Sequence, residues 1–246
     1  MIRRLLFRGA LGLALFAASL PALAQEARPI TVFAAASLSE SFQELGKAFE
    51  AKTHAKVTFS FGASSMLVTQ VQQGAPADVL ATADEATMAK VADQTDAPRP
   101  FAHNRLEIAV EKGNPKQVAG LADLARGDLA VVLAAEQVPV GKYGRAALDK
   151  AGVTVTPKSL EADVKAVLNK VALGEADAGI VYATDVAAAA GKVTGVVIPD
   201  AQNVLATYPI AVVKKSAEAS TAKAFADFVV SPEGRAVLAR YGFAPP

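Results

Sequence analysis

The sequence contains no cysteine, and this absence limits both its chemistry and its compartment. Disulfides, thiolate metal sites and cysteine nucleophiles are all excluded. A lipid-anchored cysteine, which retains many exported proteins of single-membrane bacteria at the cell surface, is excluded as well. If the chain is exported, we therefore expect it to diffuse freely in a periplasm.

Motifs for catalysis and for nucleic-acid binding are also lacking. His54 and His103 are the only histidines, and neither belongs to a serine–acid constellation that resembles a catalytic triad. The sequence has no phosphate-binding loop, no Gly-x-Gly-x-x-Gly after a strand and no paired-histidine metal motif. No basic patch alternates with aromatic residues, so nucleic acid is not an expected partner. We expect neither catalytic residues nor a cofactor.

Two alternatives remain open at this point. A periplasmic hydrolase would need a general base that the sequence does not reveal. A ferric site would need several tyrosines brought together, but no local pattern groups Tyr143, Tyr182, Tyr208 and Tyr241.

The N-terminal 24 residues have the features of an export signal. Arg3, Arg4 and Arg8 precede an apolar core over 9–20, and Ala22-Leu23-Ala24 has the small residues of a cleavage site. The apolar run is shorter than a membrane span requires. The general and twin-arginine export routes both fit. Because residues 1–24 hold three of the 25 Lys and Arg but no acid, the remaining 222 residues carry a formal net charge of −2.

The rest of the chain alternates short apolar runs with segments of helical period, which predicts an α/β fold. Apolar residues recur at helical spacing at Leu38, Phe42, Leu45 and Phe49. A second stripe follows Asp163, a predicted N-cap. The periodicity lapses over 96–104, which favours a crossing between domains there, and a second crossing is predicted near Tyr208.

Two serines stand where an apolar strand gives way to a helix. Ser37 follows the strand 30–36 and begins a Ser-x-x-Glu capping box with Glu40, and Ser64 follows the strand 57–61. A helix start carries unpaired N–H groups and the positive end of the helix dipole, so it suits an anion. Two such starts, each with a hydroxyl, could face one oxyanion. The alternative is that each serine only caps its helix.

Five segments, in order along the chain, resemble those of a known family: 33–38 (FAAASL), 60–65 (SFGASS), 74–78 (GAPAD), 138–141 (VPVG) and 179–182 (GIVY). Together they resemble the periplasmic molybdate-binding proteins of bacterial ABC-type importers, and the resemblance covers essentially the whole chain after residue 24. It implies a two-lobed α/β periplasmic binding protein fold of type II, with each lobe a sheet flanked by helices and the ligand in the cleft. Lobe one would comprise 25–105 plus 210–246, and lobe two 106–209.

The resemblance also implies the ligand contacts. Two serine hydroxyls, two backbone amides and one tyrosine hydroxyl would hold the oxyanion, at Ser37, Ser64, Val140, Val164 and Tyr182. Relatives commonly have alanine in place of Gly62 and Val140. Because residue 140 would contribute only its N–H, its side chain alters the width of the pocket more than its hydrogen bonding.

The implied function is capture of molybdate, and of tungstate, for an inner-membrane ABC permease and its ATPase, by a soluble periplasmic monomer. The runner-up is the same fold binding another tetrahedral oxyanion, such as sulfate.

Overall fold

The computed structural model describes residues 29–189 and 191–246 and contains two five-stranded sheets with helices packed against them. The predicted export signal lies outside the described residues. The two-lobed α/β fold is confirmed. Among the described residues, no helix has both the length and the apolar character needed to cross a bilayer.

The first sheet has the strand order β2-β1-β3-β10-β4. Its strands are β1 (Ile30–Ala35), β2 (Val57–Gly62), β3 (Val79–Ala81), β4 (Arg99–Asn104) and β10 (Ala206–Val212). β1 pairs in parallel with β2 and β3, and β10 runs antiparallel to both β3 and β4. Its helices are α1 (Ser39–Thr53), α2 (Ser64–Gln72), α3 (Glu85–Met88), α7 (Ala219–Val230) and α8 (Pro232–Arg240).

The second sheet has the order β7-β6-β8-β5-β9 and repeats the pattern of the first. Its strands are β5 (Leu106–Glu111), β6 (Val131–Ala134), β7 (Ser159–Glu161), β8 (Ala178–Tyr182) and β9 (Val193–Val197). β6 pairs in parallel with β7 and β8, and β5 runs antiparallel to β8 and β9. Its helices are α4 (Pro139–Ala151), α5 (Val164–Ala172) and α6 (Ala183–Ala188). Each sheet with its helices is called a lobe below.

The predicted helical stripes form the core contacts. Leu38, Phe42, Leu45 and Phe49 are all buried, and the Phe42 ring lies 5.7 Å from Phe101 and 6.2 Å from Phe225 between centroids. Burying an aromatic side chain of this size contributes roughly 1.5–3 kcal/mol. The helix propensity of α1 is therefore reinforced by a packed apolar face.

The chain passes between the lobes at two places, and the structure places both of them differently from the prediction. Residues 99–104 form β4, an edge strand of the first sheet that pairs with β10, and β5 begins at Leu106. The first crossing therefore lies at Arg105 and not over 96–104. The strand was not apparent from the sequence because Pro98 stands just before it and Pro100 lies within it, and an edge strand tolerates proline. The return runs over 198–205, since β10 begins at Ala206. The predicted boundary at 209/210 falls inside that strand.

Candidate functional site

A small cavity lies between the two lobes, with a volume of about 10 Å³ for the centre of a water-sized sphere. The first lobe contributes residues that follow β1, β2 and β3, and the second contributes the starts of α4 and α5 and the end of β8. All five residues predicted to bind the ligand line this cavity: Ser37, Ser64, Val140, Val164 and Tyr182. The structure thus brings together residues that lie up to 145 positions apart in the sequence.

The pairing of β1 with β2 brings the two serines together. The strands run in parallel with Ala35 opposite Gly62, so both strands end at the same edge of the sheet. Ligands of open α/β sheets bind at this carboxyl edge. Ser37 and Ser64 follow within two residues of the last pair, and both side chains are buried at the cavity wall.

Neither serine is an N-cap, so the predicted capping box is wrong. A 3₁₀ turn over Ala36–Leu38 precedes α1, whose N-cap is Leu38, and Ala63 is the N-cap of α2. The Ser37 hydroxyl instead lies 3.0 Å from the Tyr208 hydroxyl. Ser64 Oγ accepts a 3.0 Å hydrogen bond from the Ala83 N–H, which leaves the serine's own hydrogen free to donate.

The second lobe presents backbone N–H groups in a matching arrangement. β6 and β7 are parallel, with Ala134 opposite Glu161, and α4 and α5 begin a few residues beyond them. Val140 and Val164 lie in the first turns of these helices, where N–H groups have no carbonyl partner within the helix. The positive ends of both helix dipoles therefore face the cavity. Asp163 is the N-cap of α5, as predicted, and accepts from the Ala166 N–H at 2.9 Å.

Tyr182 stands at the end of β8 with a side chain that is 1 % exposed. Its hydroxyl finds no hydrogen-bond partner among the described residues. Burial, with a smaller contribution from Tyr208, raises the pKa of Tyr182 well above its usual value, so the phenol stays protonated. A buried donor left unpaired costs about 1–3 kcal/mol. The cavity wall therefore holds a donor that requires an acceptor from outside the chain.

Donors rather than cationic side chains surround the cavity. Among the described residues that line it there is no Lys or Arg, and the charged Asp163 is engaged in capping. The nearby ammonium groups of Lys142 and Lys165 pair with Asp84 and with Glu40, respectively. The arrangement suits a small anion held by oriented dipoles.

A buried carboxylate stands just beyond the cavity. Asp185 accepts a hydrogen bond from the Tyr182 N–H at 3.1 Å, and its other oxygen lies 3.3 Å from Lys165 Nζ. Burial raises the pKa of Asp185 to about 6, although the Lys165 ammonium opposes this shift. The contact orients the end of β8 and so positions the Tyr182 ring.

The two histidines lie away from the cavity. His54 ends α1 in the left-handed conformation, and His103 Nδ1 lies 3.2 Å from the Thr207 hydroxyl on the neighbouring strand. Within the described parts of the chain, no group of three or more His, Cys, Asp or Glu is placed to hold a metal ion.

Comparison with known proteins decides the family. Residues 30–244 match the family of bacterial extracellular solute-binding proteins. The chain is 44% identical over 226 residues to the molybdate-binding protein ModA of Mycobacterium tuberculosis, covering 90% of this chain and 87% of that protein. The chain belongs to the ModA family of bacterial extracellular solute-binding proteins. The resemblance drawn from the five sequence segments is confirmed.

Solved structures resemble this ModA-family chain in fold. The periplasmic molybdate-binding protein of Azotobacter vinelandii superposes with a TM-score of 0.77 at 21% identity, covering 88% of this chain and 99% of that one. The sulfate-binding protein SubI of Mycobacterium tuberculosis gives 0.80 at 23% identity, covering 89% and 87%. At these identities the likeness concerns the architecture alone.

Sequence reasoning missed two residues beside the site of this ModA-family protein. Tyr208 contacts Ser37 across 171 positions, and Asn104 Nδ2 lies 3.4 Å from the Tyr208 hydroxyl. The sequence pointed to Tyr208 only as a mark of the second crossing and as one of four ungrouped tyrosines, and to Asn104 only as the end of an aperiodic segment. No local signal connects either residue with Ser37, because the contact depends on how β10 is placed in the sheet.

Proposed function

We propose that this protein captures molybdate, and also tungstate, between its two lobes and delivers it to an inner-membrane ABC permease driven by its ATPase. It acts as a periplasmic monomer after removal of residues 1–24, catalyses no reaction and needs no cofactor. The ligand contacts are the hydroxyls of Ser37, Ser64 and Tyr182 and the N–H groups of Val140 and Val164.

The observation that carries the proposal is the set of hydroxyl and N–H donors on the cavity wall, above all the hydroxyl of Tyr182, which has no hydrogen-bond partner among the described residues. Molybdate at neutral pH is a fully deprotonated tetrahedral dianion, which accepts hydrogen bonds and donates none. Charge-assisted hydrogen bonds contribute roughly 1.5–3 kcal/mol each, and a helix N-terminus adds about 0.3–1 kcal/mol. Five residues from both lobes would thereby offset the loss of the ion's hydration without a bound cation. The molybdate-binding relatives support the same ligand class.

Sulfate is the second candidate, supported by the fold shared with a sulfate-binding protein. Sulfate presents the same acceptor pattern as molybdate, so hydrogen-bond type does not separate them. Size does, because the shorter bonds of sulfate would stretch several contacts beyond the useful 2.7–3.2 Å. We expect sulfate to bind at least about a hundredfold more weakly, equivalent to about 2.7 kcal/mol.

Calorimetric titration with molybdate, tungstate, sulfate and phosphate tests the proposal. We expect molybdate and tungstate to bind with similar affinity, and molybdate at a hundredfold excess over Kd to add about 2.7 kcal/mol to the free energy of unfolding. Displacement of molybdate by equimolar sulfate would transfer the protein to the sulfate class. An unchanged melting temperature at millimolar molybdate would refute the assignment.

A further inference from the structure

A chain of buried hydrogen bonds behind the cavity begins at Asn104. Asn104 Oδ1 accepts the backbone N–H of Arg105 at 2.9 Å. Because a backbone N–H is always a donor, this contact fixes the orientation of the amide, and its NH₂ group faces the other way. That group lies 2.8 Å from Thr184 Oγ1 and 3.4 Å from the Tyr208 hydroxyl, and all three side chains are buried.

The amide orientation decides where the hydrogen of Tyr208 goes. The Asn104 NH₂ group donates to the phenol oxygen and has no lone pair with which to accept the phenol's hydrogen. Burial raises the pKa of Tyr208, so this hydrogen remains in place at working pH. Ser37 Oγ lies 3.0 Å from the Tyr208 hydroxyl and can accept this hydrogen, whereas the nearby Tyr182 hydroxyl makes no hydrogen bond among the described residues. A phenol is also more acidic than an aliphatic hydroxyl and is the better donor of the two.

Ser37 then has one direction left for its own hydrogen. With Tyr208 as the donor of their 3.0 Å contact, the Ser37 oxygen accepts, and the Ser37 side chain forms part of the cavity wall. The hydrogen therefore points toward the ligand. A serine hydroxyl free to rotate would instead be able to accept a hydrogen from a protonated anion.

We infer that Tyr208 is a positioning residue that holds the Ser37 hydroxyl as an obligate donor, and thereby removes Ser37 as an acceptor for the proton of a protonated tetrahedral oxyanion. This inference rests on the proposed function. It assigns discrimination between proton-free and protonated oxyanions to a side chain that does not line the cavity.

The test compares molybdate with hydrogen arsenate, a tetrahedral oxyanion that carries a proton at neutral pH and is closer than phosphate to molybdate in size. Both are titrated by calorimetry at pH 7.2 into the wild type, Tyr208→Phe, Ser37→Ala and the double variant. We expect Tyr208→Phe to weaken molybdate binding about three- to tenfold and to lower the arsenate-to-molybdate Kd ratio at least tenfold. In the Ser37→Ala background, adding Tyr208→Phe should change neither Kd by more than about twofold.

Two further variants separate orientation from general damage. Tyr241→Phe removes a hydroxyl that bonds Glu44 outside the cavity and should leave both Kd values unchanged. Asn104→Asp keeps Tyr208 but gives the Tyr208 hydroxyl a carboxylate to which it can donate its hydrogen. The arsenate-to-molybdate Kd ratio should therefore fall as it does in Tyr208→Phe. This second variant tests the inference even if Tyr208→Phe folds poorly.

The outcomes are distinguishable. If the wild type does not bind molybdate, the proposed function fails and the inference fails with it. If the wild type binds and Ser37→Ala weakens binding, but the Kd ratio of Tyr208→Phe equals that of the wild type, the inference alone is overturned. If Tyr208→Phe changes the Kd values equally in the wild type and in the Ser37→Ala background, the inference is also overturned, because the effect on binding would then not depend on the Ser37 hydroxyl.

Discussion

At the scale of single residues, the two buried tyrosines beside the cavity differ in whether their hydroxyls have a hydrogen-bond partner. Their rings pack edge to face with centroids 5.8 Å apart, and both hydroxyls are kept protonated by burial. Tyr208 finds Ser37 and Asn104 as partners, whereas Tyr182 finds none among the described residues. The structure therefore assigns Tyr208 to the scaffold and leaves Tyr182 available for a ligand.

Tyr182→Phe should change stability and affinity in opposite directions. Without ligand, removing an unpartnered buried hydroxyl should leave the free energy of unfolding unchanged or raise it by about 1 kcal/mol. With molybdate, the lost charge-assisted bond should weaken binding roughly tenfold to a hundredfold. Urea denaturation and calorimetry measure the two effects, and Tyr241→Phe is the matched control. A ligand-free loss of more than about 2 kcal/mol would mean that the hydroxyl has a structural partner.

At the scale of elements, the start of α4 lies so close to the backbone at the end of β6 that only glycine fits at position 141. A Cβ on Gly141 would lie 2.6 Å from the carbonyl oxygen of Ala134 and would also contact that of Ala135. These carbonyls are backbone atoms at the end of β6 and cannot rotate away. The helix that presents the Val140 N–H is thus held against the strand by the absence of a side chain.

Gly141→Ala should displace the start of α4 and reduce both stability and molybdate affinity. We expect a loss of roughly 1–3 kcal/mol in unfolding free energy, typical of overpacking, measured by urea denaturation, and weaker binding by calorimetry.

Gly144→Ala is the control on the same helix. Its Cβ would meet Ile180 at 3.4 Å, a contact that the flexible side chain tolerates, and alanine favours a helix interior by about 1 kcal/mol over glycine. Equal losses in the two variants would contradict the role of the close approach.

At the scale of the whole molecule, two ion pairs join the lobes. Lys165 of α5 lies 2.9 and 3.0 Å from the two oxygens of Glu40 on α1. Lys142 of α4 lies 3.2 Å from the buried carboxylate of Asp84, the N-cap of α3. Both lysines belong to the second lobe and both acids to the first. The pairs therefore form only when the lobes are close together.

Glu40→Gln should favour the open form while leaving Lys165 its contact with Asp185. A partly exposed ion pair contributes up to about 1 kcal/mol, so we expect molybdate affinity to fall about two- to fivefold at low salt. The difference should shrink at high salt, where the pair is screened. Calorimetry at two salt concentrations measures this.

Glu233→Gln is the control, because Glu233 pairs with Lys52 within the first lobe. It should leave the affinity unchanged at both salt concentrations. If Glu40→Gln also leaves it unchanged at low salt, the pair does not contribute to closure.

The sequence by itself determined the local elements and the family. The Leu38–Phe49 stripe, the Asp163 cap of α5 and the strands that precede Ser37 and Ser64 all follow from periods and caps that span a few residues. The five family segments placed the predicted contacts, and the structure gathers them around one cavity. Their role as ligands stays a prediction.

Only the tertiary structure decided what these residues do. Ser37 reads as a helix cap from its neighbours but pairs with Tyr208, because β1 and β10 lie in one sheet on either side of β3. β4 was not predicted because Pro98 and Pro100 interrupt the apolar pattern there. It forms nevertheless because it pairs with β10. The two sheets share one topology although no repeat is visible in the sequence. The physical reason is range: caps and periods act within a few residues, whereas hydrogen-bond direction in a buried network is set by strand registers that join distant parts of the chain.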